Sequence, residues 1–249
     1  MSTPRLSAGE LLELKNFDTP TLYNGWEQIT RRDPGRECFN LEMVTDYMPE
    51  MGTIIGYAVT LVIQPGNKEH AKNPKAWPDY RQYVGSMPGP KIAVVQDLDK
   101  PRTYGSVWGE VQANVHHNLG CAGAIVDGGV RDIPQMRAVG FKALARQLCV
   151  GHAYGTPVSW GGDVEVFGCP VRAGQLIVAD RHGFLVVPEA DEARLLEAVQ
   201  FMDRLERHTK IAAAQSNLGR EPEALIERIN EANRAFKQAA LAKFSRPGE

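Results

Sequence analysis

The first part of the chain places short apolar runs directly after signals that start helices. Ser7 and Glu10 have the spacing of a capping box, which predicts a helix through residues 11–14. Thr19 is the expected cap of a second helix, with Pro20 at its first helical position and its end near residue 26. The chain therefore starts with two short helices.

The middle of the chain alternates runs of strand-forming residues with helical patterns. Ser106 is the expected cap of a helix that carries Glu110 in its first turns and ends near Gly120. Such alternation predicts parallel strands with helical crossovers. The polar stretch at 67–77 predicts a mobile loop. The remaining expected elements are strands at 53–63, 91–96, 124–126 and 141–146 and a helix at 133–139.

The last third of the chain changes pattern twice. Short strands are expected at 164–166, 176–179 and 184–187, with residues 180–183 as the loop of a hairpin. From 189 to 245 the sequence is rich in Ala, Glu, Leu, Arg and Lys, which predicts two helices broken near 217–219. Apolar and charged residues alternate there at helical spacing, so each helix is expected to have one docked face.

The composition of the chain argues against several classes of protein function. The 249 residues are 43% hydrophobic and 23% charged, with a net charge of −2, which is typical of a globular protein and not of a nucleic-acid binder. The apolar runs are too short to cross a bilayer, and the polar N-terminus does not resemble a signal peptide. We therefore expect a cytoplasmic protein. The four cysteines form no CxxC pair and are expected to pack as small apolar residues.

The densest candidate chemistry follows the expected strand at 124–126. Arg131 and Asp132 come after Gly128-Gly129, which we interpret as a turn at the carboxyl end of that strand, where α/β sheets bind ligands. Arginine offers a fork for a carboxylate, and aspartate an oxygen ligand for a hard cation. The alternative is that Asp132 caps the next helix and Arg131 makes a surface ion pair.

Glu110 lies at the start of a predicted helix, and twenty residues separate it from Arg131. The free N–H groups of a first helical turn can hold a carboxylate or phosphate. The alternative is that Glu110 only favours the positive end of the helix. Its amides, Arg131, Asp132 and its own carboxylate would together suit a small anionic substrate.

Other motifs are weaker or absent. His116 and His117 are adjacent on a helix and point about 100° apart, so they are not expected to share a metal. His152 follows a strand and is a candidate for the pocket, whereas His182 is expected in the hairpin loop. Lys91 or Lys142 could in principle form a Schiff base. The sequence has no complete GxGxxG, GxxxxGK[ST] or GxSxG motif.

The residues around this acid-x20-Arg-Asp pattern resemble the RraA-like family and its 4-hydroxy-4-methyl-2-oxoglutarate aldolase branch. The resemblance covers roughly residues 17–190 and rests on Gly109-Glu110-Val111-Gln112 and on the segment 123–132. It implies an α/β fold of the swivelling β/β/α type. Residues 1–188 would form the catalytic domain, and 189–249 a helical extension that packs on a neighbouring subunit of a homotrimer or homohexamer.

The resemblance also implies site roles. Asp132 would hold Mg²⁺, Mn²⁺ or another divalent metal together with waters, and Arg131 would bind the pyruvate part of a small 2-oxo acid. The backbone amides of Gly109, Glu110, Val111 and Gln112 would hold a carboxylate or enolate. Glu110 would orient metal-bound water and assist proton transfer. Glu206 of a neighbouring subunit would approach these waters.

The activity implied is that of a metal-dependent lyase, a class II aldolase or oxaloacetate decarboxylase, working through a pyruvate enolate. Glu110 stands where the characterised aldolases have aspartate. Two alternatives stay open: a non-catalytic regulator that binds a ribonuclease, as some relatives do, and a lyase or hydratase that uses the same enolate on another acid. Neither nucleic acid nor a membrane is expected as a partner.

Overall fold

The computed structural model of the protein describes residues 5–215 and 221–244. Nine strands in this part of the chain form one mixed, nearly closed sheet, and two more form a separate hairpin. The strands are β1 Thr45–Asp46, β2 Ile54–Ile63, β3 Lys91–Asp97, β4 Ser106–Trp108, β5 Cys121–Val130, β6 Lys142–Leu148, β7 Pro157–Trp160, β8 Val164–Val166, β9 Cys169–Val171, β10 Leu176–Asp180 and β11 Gly183–Val187. The helices are α1 Ala8–Leu14, α2 Thr19–Trp26, α3 Ala76–Ser86, α4 Glu110–Asn118, α5 Ile133–Val139, α6 Glu189–Glu206, α7 Ala212–Gln215 and α8 Pro222–Phe244.

The centre of the sheet is parallel, as the alternation of elements predicts. Strands β2, β3, β5 and β6 pair in parallel in the order β6-β5-β3-β2, and the antiparallel hairpin β10–β11 continues the sheet beyond β2. Strand β4 adds to β5 in parallel, and β7 pairs with β2. The mixed α/β fold class expected from the sequence is confirmed.

Apolar side chains pack in three clusters around this sheet. Helices α3, α4 and α5 cover one face, and α1, α2, α6 and α8 pack on β2 and on the β10–β11 hairpin. The hairpin β8–β9 closes the third cluster. The α2–α6 contact is very close, because a Cβ on Gly25 would lie 2.6 Å from the Val199 backbone. Helix α6 is thus part of this packing, and the division of the chain at residue 188 stays a prediction.

Several local predictions need correction. Asp18, not Thr19, caps α2, because its side chain accepts the Thr21 N–H. The stretch 67–77 contains a short 3₁₀ turn, and its end already belongs to α3. Ser106 lies in β4 rather than capping α4, and its hydroxyl bonds with the Trp108 backbone. Gly128 and Gly129 lie within β5 instead of forming a turn. The break expected at 217–219 lies outside the described residues.

Candidate active site

The candidate site lies where β4 and β5 end side by side. Ser106 is in register with Gly129, and Trp108 with Val130. The Arg131 N–H donates to the Trp108 carbonyl at 3.0 Å, so the two chain segments stay together beyond the strands. This pairing brings the start of α4 next to the start of α5. The twenty-residue separation in sequence therefore becomes direct contact.

The Asp132 carboxylate reaches across to α4 instead of capping its own helix. Asp132 precedes α5 with a left-handed backbone (φ 56°, ψ 40°), and its side chain makes no capping bond there. Its Oδ2 accepts the Glu110 N–H at 3.1 Å. The capping alternative for Asp132 is therefore wrong. Because Glu110 N–H is occupied, the amides of Val111 and Gln112 are the ones in the first turn that are left for a ligand.

Arg131 is held beside this carboxylate. Its Nε lies 3.6 Å from Asp132 Oδ2, and its Nη1 donates to the Val150 carbonyl at 3.3 Å. The side chains of Arg131 and Asp132 are 36% and 37% exposed. The ion pair anticipated as the alternative for Arg131 does form, but with the neighbouring candidate residue. A guanidinium in this position can still turn its remaining donors to an incoming carboxylate.

All these groups line one open cavity of about 250 Å³. This cavity brings together every predicted site residue except Glu206. Its wall also contains Trp77, then His152, which was anticipated as a candidate, and three residues that were not assigned to the site: Ser106, Val107 and Gly155. The lining residues are Trp77, Ser106, Val107, Gly109, Glu110, Val111, Gln112, Arg131, Asp132, His152 and Gly155.

Glu206 does not line this cavity and ends α6. Its carboxylate lies 3.9 Å from Lys210 Nζ. Its approach to the site of a neighbouring subunit stays a prediction. Trp77 belongs to the wall because α3 starts within the stretch expected to be a loop. The tryptophan in that polar stretch was the signal available in the sequence.

The donor set suits a hard cation that keeps most of its water. Within the described residues, no three His, Cys, Asp or Glu side chains form a metal-binding cluster. Asp132 supplies one exposed carboxylate whose Oδ1 accepts no hydrogen bond from a described residue, and Glu110 lines the same cavity. Mg²⁺ is commonly held by one or two carboxylates, with waters and substrate oxygens completing its shell. Asp132 therefore fits a site of that type.

The other candidate groups have structural roles. His116 is buried, where Gln112 O and Tyr80 Oη contact its ring nitrogens, and burial lowers its pKa to about 4. Lys91 Nζ donates to Val84 O at 2.8 Å, and Lys142 Nζ pairs with Asp46 at 2.7 Å, so neither lysine is presented to the cavity. Of the cysteines, Cys121 and Cys169 are buried as expected, whereas Cys38 and Cys149 are half-buried. No helix in the described part of the chain is long and apolar enough to span a membrane.

The fold and the site define a mixed α/β protein with a small polar cavity at the carboxyl end of parallel strands. The model of the RraA-like family, described as Aldolase/RraA, matches residues 21–186, and the chain belongs to this family. The resemblance seen in the sequence is thereby confirmed.

The individual proteins that match this chain have low sequence identity to it. A protein of Halalkalibacterium halodurans named "Putative 4-hydroxy-4-methyl-2-oxoglutarate aldolase" is 31% identical over 116 residues, which are 45% of this chain and 52% of that relative. The chain spans about half the length of the curated relatives it matches. An uncharacterized protein from Pseudomonas syringae has a TM-score of 0.69 at 19% identity, covering 94% of this chain and 97% of its own. Streptomyces coelicolor RraAS2, titled an unusual member of the RNase ES inhibitor RraA family, has a TM-score of 0.63 at 22% identity, with 82% and 95% covered. These two structures support the fold.

Proposed function

We propose that the protein is a lyase that cleaves a 2-oxo acid through a pyruvate enolate with the help of a divalent cation. The observation that carries the proposal is the Asp132 carboxylate, bonded to the start of α4 and paired with Arg131 in one cavity. The aldolase name of the Halalkalibacterium halodurans relative agrees with it. Such a site offers a cation-binding oxygen, a carboxylate-binding fork and free amides together.

Each side chain has a task in this reaction. Arg131 binds the carboxylate of the 2-oxo acid, and the Val111 and Gln112 amides stabilise negative charge near the first turn of α4. Asp132 would hold the cation. When bound, the cation supplies Lewis-acid stabilisation of the enolate. Glu110, exposed in the same cavity, accepts the proton of the C4 hydroxyl.

The electron balance follows from these roles. As the C4 hydroxyl loses its proton, a carbonyl forms at C4 and the C3–C4 bond breaks. Its electron pair moves into the pyruvate enolate, which is then protonated at C3 and leaves as pyruvate. Loss of CO₂ from oxaloacetate leaves the same enolate, so one site can serve both reactions. Homo-oligomeric assembly with Glu206 completing the site belongs to the same proposal.

Asp132→Asn tests the proposal directly. The amide keeps an oxygen for the Glu110 N–H but loses the charge that a divalent cation needs. We expect pyruvate release to fall about 100-fold or more, with an unchanged circular-dichroism spectrum. Asp163→Asn, which removes an exposed carboxylate outside the cavity, is the matched control and should keep full activity. Turnover of Asp132→Asn at the level of the control would exclude Asp132 as the cation ligand.

A further inference from the structure

Three side chains in the cavity wall have no task in the reaction described above. They are Trp77, the carboxamide of Gln112 and the imidazole of His152. They lie in the same cavity as the groups that handle the pyruvate half. The part of the substrate that leaves as an aldehyde or ketone must therefore meet them. Their hydrogen-bonding character indicates what that part carries.

His152 sits in a loop that is fixed against β4. The Ser106 N–H donates to the Gly151 carbonyl at 2.9 Å, and the Gly155 N–H donates to the His152 carbonyl at 3.0 Å. The backbones approach so closely that a Cβ on Gly105 would lie 2.6 Å from the His152 carbonyl oxygen. The backbone that carries His152 is thus fixed against β4, and its exposed imidazole lines the cavity.

Both unused polar side chains offer a hydrogen-bond acceptor. His152 Nδ1 lies 2.8 Å from the Ala153 carbonyl, which can only accept, so Nδ1 carries the proton. In the neutral ring Nε2 is then an acceptor, and it has no partner among the described residues. Gln112 Oε1 is buried and likewise receives no hydrogen bond from a described residue. His152 Nε2 is at the surface of the cavity, so it can accept from a ligand that donates, while the buried Gln112 Oε1 still lacks the donor that a buried acceptor needs.

The charges of the cavity also favour a distal group that donates a hydrogen bond and carries no negative charge. Among the described lining residues, Arg131 is the one permanent cation, and the carboxylate of the 2-oxo acid uses it. A second carboxylate on the distal part would bring further acceptors and find no second guanidinium or ammonium. A hydroxyl brings a donor and needs no counter-ion.

We infer that the substrate is a 4-hydroxy-2-oxo acid whose distal part carries a further hydroxyl, with one carboxylate instead of two. This inference rests on the proposed function and names its substrate class. The C3–C4 bond of 4,5-dihydroxy-2-oxopentanoate breaks as described above and gives pyruvate and glycolaldehyde. The C5 hydroxyl donates to His152 Nε2, and Trp77 covers the carbon chain.

Two substrates that differ by one hydroxyl test the inference on the unmodified protein. We expect kcat/KM for 4,5-dihydroxy-2-oxopentanoate to exceed that for 4-hydroxy-2-oxopentanoate about tenfold or more, the effect of one hydrogen bond to an otherwise unpaired acceptor. The dicarboxylic 4-hydroxy-4-methyl-2-oxoglutarate should react more slowly than the dihydroxy acid. Equal rates for the first pair, or a preference for the dicarboxylic acid, would overturn the inference.

Variants of His152 show whether this wall is responsible. His152→Phe keeps a ring without an acceptor and should bring the ratio between the two pentanoates close to one. His152→Lys adds a cation and should shift preference toward the dicarboxylic acid. His117→Phe makes the same exchange at an exposed position of α4 outside the cavity and should leave the ratio unchanged. A ratio that stays high in His152→Phe would contradict the role of His152.

Oxaloacetate distinguishes a failure of the inferred substrate class from a failure of the proposed lyase function. Its decarboxylation releases no aldehyde or ketone that the cavity wall would have to bind. Pyruvate release from oxaloacetate without preference for the dihydroxy acid would overturn the substrate class and leave the lyase function standing. Absence of release from all four acids would overturn the proposed function itself.

Discussion

At the scale of single residues, Gly109 determines how closely Asp132 can approach α4. A Cβ at this position would lie 2.4 Å from Asp132 Oδ2, although the backbone there is extended and open to any residue. We expect Gly109→Ala to displace the carboxylate by about 1 Å and lower kcat roughly 100-fold. Gly9→Ala, whose added Cβ meets no atom closer than 3.9 Å, is the control. Full activity of Gly109→Ala, measured by pyruvate release, would show that this contact is dispensable.

The buried Asp97 makes the stability of the folded protein depend on pH. It is 2% exposed, and its Oδ2 has no hydrogen-bond partner among the described residues. Burial, aided by the charges of Asp99 and Asp127 and opposed by a hydrogen bond from the Asp99 N–H, raises the pKa of Asp97 from 3.8 to about 7. Between these values the folded protein binds more protons than the unfolded chain. The free energy of unfolding therefore falls as the pH rises from about 4 to about 7.

Asp97→Asn should remove this penalty because the amide stays neutral. Relative to the parent, we expect the variant to gain roughly 1–2 kcal/mol of unfolding free energy between pH 5 and pH 8. Urea denaturation at both pH values measures it, with Asp163→Asn as an exposed control. A constant difference between variant and parent across this range would contradict the raised pKa.

At the scale of secondary-structure elements, a partly exposed ion-pair network centred on the buried Asp127 connects β5 to its neighbours. Asp127 is 1% exposed; its Oδ1 accepts from Arg146 Nε at 2.8 Å, and its Oδ2 from Lys100 Nζ at 3.2 Å and Phe167 N at 2.9 Å. Glu42 pairs with both cations. Because Asp127 alone is buried and its two cations, partly exposed, still pair with Glu42, Asp127→Asn should cost about 2 kcal/mol of unfolding free energy, the value of its charged hydrogen bonds.

Urea denaturation measures this cost, and Glu50→Gln provides the comparison. Glu50 pairs with Arg137 at the exposed surface, where solvent screens the pair, so its loss should change the unfolding free energy much less. If the two variants lose equal stability, the network around Asp127 does not stabilise the sheet more than a surface pair.

Elements with strong local signals were predictable. The capping box at Ser7, the β-branched run of β2 and the pattern of α5 each encode their structure within a few residues. Helix α3 was missed entirely, because Trp77 and Pro78 follow a polar stretch and no side chain caps the helix. The short strands β4 and β7 exist through pairing with distant residues, which no local pattern records.

At the scale of the whole molecule, the site depends on long-range pairing. The sequence predicts Glu110, Arg131 and Asp132 as a set, but their contact arises because β4 pairs with β5. The bond from the Glu110 N–H to Asp132 and the place of His152 in the wall follow from this pairing and not from local sequence. Spacing alone did not establish that these residues share one site, whereas the resemblance to the RraA-like family predicted it.

The most direct test of the central claim is pyruvate release by the unmodified protein from oxaloacetate and from 4-hydroxy-4-methyl-2-oxoglutarate, with Mg²⁺ and then with EDTA. Cleavage through a cation-stabilised enolate predicts release above the rate of Mg²⁺ without protein, and its loss in EDTA. No release above that background from these acids or from the two pentanoates, by folded protein supplied with Mg²⁺, would contradict the lyase function and direct attention to a binding role.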